Sequence, residues 1–179
     1  MLQSRFFSRV CRCSLPVDQV KARLSTRPPQ HHPAVRRNNA PTQAWDLCLV
    51  AAQSALRDLG RAHSERAYEE CMTNFFYQHR IPYMRQRAFY REVRGDIIPV
   101  GVADLEVAHC VILELKVGNN AITEDHRQQL LRYMQAARER NGDRAITGGV
   151  LLFGRDGSLR VWKQEMPAGG SPDAAMLIE

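Results

Sequence analysis

Acidic residues are almost missing from the first 45 positions of this 179-residue chain, where Asp18 stands alone against eight arginines and lysines. Lysine is scarce throughout: Lys21, Lys116 and Lys163 face 22 arginines. No run of 18 apolar residues occurs, which excludes a membrane-spanning helix. The five cysteines, Cys11, Cys13, Cys48, Cys71 and Cys110, have neither the paired spacing of a zinc site nor the density of a disulfide framework. Histidines 63, 79, 109 and 126 share no ligand spacing, and internal repeats are missing. The chain after residue 45 also lacks any excess of charge, with 17 basic and 18 acidic groups. The formal +6 and the pI near 9.4 therefore belong to the N-terminal segment, and net charge does not argue that the remainder binds nucleic acid.

That segment has the composition of a mitochondrial targeting peptide, rich in Arg and Ser and poor in acids. On a helix, Leu2, Phe6, Val10 and Cys13 share one side, and Arg5, Arg9 and Arg12 the adjacent one. Residues 1–27 are therefore expected to direct the chain to the mitochondrial matrix, with processing near Arg23-Leu24-Ser25-Thr26. Residues 28–41, with Pro28, Pro29, Pro33 and Pro41, are expected to form a disordered linker. One domain over 42–163 follows, then a loose tail over 164–179.

Within the domain, Trp45, Leu49, Ala52, Leu56 and Leu59 recur at helical spacing up to Gly60. Ser64 is placed to cap a second helix, whose apolar face runs through Tyr68, Met72 and Phe76 until Ile81-Pro82 stops it. Glu65 projects near the direction of Met72, at the edge of the buried side; Glu69 sits further towards the boundary. Strands are predicted over 84–93, 97–107 and 110–117, with a turn at Arg94-Gly95-Asp96. Thr123 caps a helix that Asn141-Gly142 closes, and strands over 145–153 and 158–163 complete the domain. The expected architecture is mixed α/β: an antiparallel meander, a crossover helix and a further strand pair, with the two N-terminal helices against the sheet.

The chemistry lies on the second and third strands. Alternation puts Val102, Asp104 and Glu106 on one face, and Ile112, Glu114 and Lys116 on one face of the next strand. Val111, Leu113, Leu115 and Val117 form the core-facing set. Asp104 lies directly opposite Glu114 only if the hairpin loop around Ala108-His109-Cys110 is three residues long or bulged. Two facing carboxylates repel each other, and a hard divalent cation, Mg²⁺ or Mn²⁺, resolves that repulsion. Lys116, two residues on, places a compact cation beside them.

These residues support a family resemblance. The stretch from Leu59 to Phe153 resembles the GxxExxY family of the PD-(D/E)XK nucleases, a restriction-endonuclease-like fold with a mixed central sheet flanked by helices. Glu65-Arg-Ala-Tyr68 matches its E-x-x-Y, and Val102-Ala-Asp104 with Glu114-Leu-Lys116 matches its D…E-x-K core. Gln129-Leu-Leu-Arg-Tyr133 matches a Q-x-x-x-Y helix shared with RecB-like nucleases, and Gly148-Gly149 with Val150–Gly154 matches the closing strand. The family's leading glycine falls on Ala62, and the proline of the PD pair is Ala103. The resemblance implies a metal held by Asp104, Glu114 and the Leu115 carbonyl, with Lys116 activating or positioning the attacking water. It also implies that Glu65 completes the shell, and that Gln129 and Tyr133 contact the scissile phosphate or lock the lysine. E-x-K alone is common on solvated strand edges; joint order and spacing give these motifs their weight.

The expected function is a mitochondrial, metal-dependent nuclease hydrolysing phosphodiester bonds in DNA or RNA, which could act as a homodimer. The alternative is a non-catalytic subunit of a mitochondrial ribonucleoprotein, such as the ribosome, its assembly machinery or an RNA-processing complex, since one fold carries many functions.

Overall fold

A computed structural model describes residues 41–169 apart from Asp143. The expected targeting peptide, nearly all of the expected linker and the last ten residues of the tail lie outside the described residues. In chain order, the described residues form α1 (Pro41–Leu59), α2 (Glu65–Gln78), β1 (Tyr83–Val93), β2 (Asp96–Val107), β3 (Val111–Val117), α3 (Glu124–Asn141), β4 (Ile146–Phe153) and β5 (Leu159–Met166). The strands make a mixed sheet in the order β1-β2-β3-β4-β5, antiparallel except between β3 and β4, which α3 connects. A parallel neighbour requires such a crossover, and the architecture is the α/β arrangement expected.

Helices cover both faces. α1 and α2 pack with Leu105, Val107, Val111, Leu113, Leu115, Leu151 and Phe153. α3 lies on the other side, where Leu130, Tyr133 and Met134 meet Phe89, Ala103, Ile112 and Val150. Both faces of β3 are therefore core, not only the set headed by Val111. Pro41 opens α1, as proline can in a first turn where its missing N–H has no helical partner. The buried stripe of α1 is Ala44, Trp45, Cys48, Ala51, Ala52 and Ala55, one row from the predicted leucine stripe. Small residues there let the helix approach the sheet closely, and Leu49 and Leu56 flank the contact half-buried. β5 runs three residues beyond the predicted 163, because Gln164, Glu165 and Met166 pair with Gly148, Thr147 and Ile146 and Met166 is buried in the second core.

Tyr68 stacks on Phe153 with ring centroids 4.0 Å apart, and its hydroxyl donates to the Gly60 carbonyl at 2.7 Å. That contact fixes how α2 starts. Ser64 accepts from the Ala67 N–H at 3.3 Å, so Glu65 stands in the first turn. Thr123 and His126 form a reciprocal cap at the start of α3.

Two departures from simple strand alternation set the site. The β2–β3 loop is Ala108-His109-Cys110, closed by the Val107–Val111 pair, and both Ala108 and His109 adopt left-handed backbones (φ 51° and 59°). This is the odd loop that places Asp104 opposite Glu114. The second departure is in β1–β2. Arg85 pairs with Leu105, and Leu105 belongs to the core under α1 and α2; Arg87 pairs with Ala103, which belongs to the core under α3. Strict alternation would put Ala103 and Leu105 on one face. Between them lie Asp104 and, on the partner strand, Gln86 with φ 48°. The ribbon rolls from one core to the other at that point, so Val102, Asp104 and Glu106 do not share a uniform face.

The paired glycines of β4 follow from close packing. A Cβ on Gly149 would collide with the Trp45 ring, and one on Gly148 with the Met134 sulfur. Gly149→Ala is expected to lower stability by about 1–3 kcal/mol, since a rigid indole cannot yield. Gly148→Ala is expected to cost less, because the thioether can move. Thermal denaturation of the two variants checks the order.

Candidate active site

β2 and β3 pair only over Leu105–Leu113, Glu106–Ile112 and Val107–Val111. Beyond them side chains take over from the ladder. Asp104 Oδ2 accepts from the Leu115 N–H at 2.7 Å, and Glu65 Oε1 accepts from the Val117 N–H at 3.2 Å. Two consecutive outward N–H groups of β3 are thus capped by carboxylates, which replace the backbone carbonyls that a continued β2 would have supplied. The N–H and C=O of one strand residue point to the same side, so the Leu115 carbonyl is directed to the side where Asp104 sits.

On the face under α3, Glu114 is 3% exposed. Its Oε1 accepts from Lys116 Nζ at 2.6 Å and from Gln129 Nε2 at 2.9 Å. Gln129 also donates to the Tyr133 hydroxyl oxygen at 2.9 Å. Tyr133 is held by stacking on Phe89, with centroids 5.6 Å apart, and its ring fills the space that a Cβ on Gly101 would need. Gln129 and Tyr133 therefore brace Glu114; the partner of the lysine is the carboxylate itself. Glu114 Oε2 is buried with no hydrogen-bond donor.

The electrostatics match this geometry. Burial, then the negative charges of Asp104 and Glu65, push the Glu114 carboxyl from 4.5 up to about 7, against the pull of Lys116. Burial works against the Lys116 ammonium, but the hydrogen bond and charge of Glu114, with Glu65 and Asp104 behind it, hold its pKa above the ordinary value. Lys116 is a cation at neutral pH. Among the described residues, no three His, Cys, Asp or Glu side chains are gathered closely enough to hold one ion as they stand. The oxygens that would be available to a cation are instead the carboxylates of Asp104 and Glu114 with a backbone carbonyl. The orphaned Glu114 Oε2, in a site crowded with negative charge, fits a hard divalent ion, which takes oxygen ligands.

The predicted site residues Glu65, Asp104, Glu114, Leu115, Lys116, Gln129 and Tyr133 are thus brought together. The structure adds Arg85 and Gln86, which the sequence does not single out, and reverses the expected order of Glu65 and Glu69. Glu69, not Glu65, is the buried carboxylate of α2, at 5% exposure, and accepts from Arg85 Nε at 2.6 Å. Gln86 Nε2 donates to Glu69 Oε2 at 3.2 Å and to Asp104 Oδ1 at 3.4 Å. Periodicity gives no hint of Gln86, because its importance comes from a backbone that breaks the period.

A model of the PD-(D/E)XK nuclease superfamily matches residues 43–147, more than half of the chain. The chain belongs to the PD-(D/E)XK nuclease superfamily. The match spans α1 through the start of β4, and so includes every predicted site residue. No curated protein matches. A solved structure titled "Crystal structure of SSO0001" is 14% identical and covers 88% of this chain and 77% of its own, with a TM-score of 0.40. That likeness carries no argument; the mixed five-stranded sheet with flanking helices agrees with a PD-(D/E)XK domain on its own account.

The raised Glu114 pKa has a consequence for stability. The folded state binds this proton more tightly than the unfolded state, so the stabilisation is complete below about pH 4.5 and is lost as pH rises through about 7. In metal-free buffer at pH 8, Glu114→Gln is expected to raise the melting temperature by about 3–6 °C, and the gain should vanish near pH 4.5. Melting curves across that range, with chelator present, check the sign.

Proposed function

We propose that this protein is a divalent-metal-dependent phosphodiester hydrolase of nucleic acid, of the GxxExxY type, acting in the mitochondrial matrix. The observation that carries the reading is the buried Glu114, with one oxygen saturated by Lys116 and Gln129 and the other bare, next to Leu115, whose N–H donates to Asp104. Asp104, Glu114 and the Leu115 carbonyl would hold Mg²⁺ or Mn²⁺, and Glu65, at the start of α2, would complete the oxygen shell. When bound there, the ion would supply Lewis-acid stabilisation of the charge that develops on phosphoryl oxygens.

The remaining steps belong to the side chains. Hydrolysis forms a bond from a water oxygen to phosphorus, breaks the bond from phosphorus to the leaving oxygen, and transfers one proton of that water, through solvent, to the leaving oxygen. The Lys116 ammonium has three N–H donors and gives one to Glu114 Oε1, so two are left for the attacking water and a phosphoryl oxygen. Held as a cation, it orients and stabilises; it does not abstract the proton. Gln129 and Tyr133 keep Glu114 in one rotamer, so the lysine is aimed by a carboxylate that is itself fixed.

The test is cleavage of single- and double-stranded DNA and RNA by the purified protein with Mg²⁺ or Mn²⁺. Asp104→Ala and Lys116→Ala are each expected to lower the rate by about a hundredfold or more, the weight of a lost electrostatic contact to the transition state. Unchanged cleavage in both variants would overturn the assignment. Localisation is tested separately: residues 1–27 fused to a fluorescent reporter are expected to deliver it to mitochondria, and exchange of Arg5, Arg9 and Arg12 for Glu should leave it in the cytosol.

The near-neutral charge of residues 46–179 favours a second reading, a non-catalytic subunit of a mitochondrial ribonucleoprotein. Stable co-sedimentation with a large particle, together with no cleavage and no metal binding, would select it.

A further inference from the structure

The β1–β2 ribbon contains a residue whose backbone and side chain both depart from what a strand requires, at the place where the site is built. Gln86 lies in the middle of β1 with φ 48°, a left-handed conformation that glutamine seldom adopts and that costs free energy wherever it is held. Its carboxamide nitrogen points to two carboxylates, Glu69 Oε2 at 3.2 Å and Asp104 Oδ1 at 3.4 Å. Glu69 is itself immobilised, buried to 5% exposure and paired through Oε1 with Arg85 at 2.6 Å. One strained residue thus links a fixed carboxylate on α2 to the carboxylate on β2 that reaches the Leu115 N–H.

We propose that Gln86 is a positioning residue for the candidate active site: its turned backbone rolls the ribbon so that Asp104 faces the gap beside β3, and its carboxamide holds Asp104 there against the Glu69–Arg85 pair. The proposal rests on the reading of Asp104 as a metal ligand. The backbone part follows from the two cores. Leu105 packs under α1 and α2 and Ala103 under α3, so Asp104 is carried on the rolling segment, and a regular β1 would leave it on a flat face. The side-chain part follows from charge. Asp104, Glu114 and Glu65 crowd one another, and an amide N–H on the outer oxygen of Asp104 keeps that carboxylate from swinging away.

The experiment compares full-length wild type with Gln86→Ala and Gln86→Gly. Alanine keeps the backbone strain and removes the amide; glycine removes both, since it accepts positive φ freely. The glycine variant is therefore expected to melt above the alanine variant. In both, exchange of the Leu115 amide, measured without metal, is expected to accelerate about tenfold, the weight of a hydrogen bond to a charged group. Mn²⁺ affinity, measured by calorimetry without nucleic acid, is expected to weaken about tenfold, and the Mg²⁺ concentration for half-maximal cleavage to rise about as much, with the rate at saturating metal little changed. A Leu115 amide as protected in both variants as in the wild type would overturn the proposal, as would Mn²⁺ affinities that follow melting temperature and not the missing amide. Failure of the wild type to bind Mn²⁺ or to cleave would instead overturn the metal-dependent function, and the Leu115 exchange would still decide the role of Gln86.

Discussion

The domain is organised by the burial of β3 on both faces. A strand sandwiched between α1 and α2 on one side and α3 on the other should be apolar throughout, and Val111–Leu113 and Leu115 obey. Glu114 does not. Its carboxylate can be kept at 3% exposure only because Lys116 and Gln129 supply donors, and even so one oxygen is left bare. Leaving a buried acceptor unpaired costs about 1–3 kcal/mol, and the raised pKa shows the same strain in another form. Stability is given up at the point where chemistry is proposed to occur.

The neighbouring elements read as supports for that choice. Gln129 and Tyr133 come from adjacent turns of α3, four residues apart, and thus share a face. The approach of α3 to the sheet depends on small residues at Gly148 and Gly101, and the approach of α1 on Gly149 and the alanine stripe. The tyrosine of the E-x-x-Y motif stays clear of the site chemistry; it stacks on Phe153 and fixes the first turn of α2, from which Glu65 reaches Val117.

Much of this was legible in the residues. The caps at Ser64 and Thr123, the turn at Arg94-Gly95 and the stop at Gly142 are short-range signals, written in a few consecutive positions. The strict period of strands was enough to demand an odd loop before Asp104 could face Glu114, and the loop has three residues. What failed was whatever depends on a broken period or on packing distance. The small-residue stripe of α1 outweighed the leucines because closeness to the sheet, not hydrophobicity alone, decided which face was buried. Helical period puts Glu69 nearer the boundary than Glu65, and the structure reverses them because burial of Glu69 depends on Arg85, a partner 16 residues away that no local pattern names. Gln86 lies where the alternation of β1 breaks, so a reading by strand period gives it no distinction.

The short pairing between β2 and β3 also bears on what holds the sheet together. Three residue pairs join these strands, against seven between β3 and β4 and eight between β4 and β5. The sheet therefore has a seam, and the seam runs between Asp104 and Glu114. Fewer backbone pairs restrain that gap than any other between neighbouring strands, and side chains close what the ladder leaves open, Asp104 on the Leu115 N–H and Glu65 on the Val117 N–H. The two halves of the sheet are riveted there by carboxylates rather than by backbone.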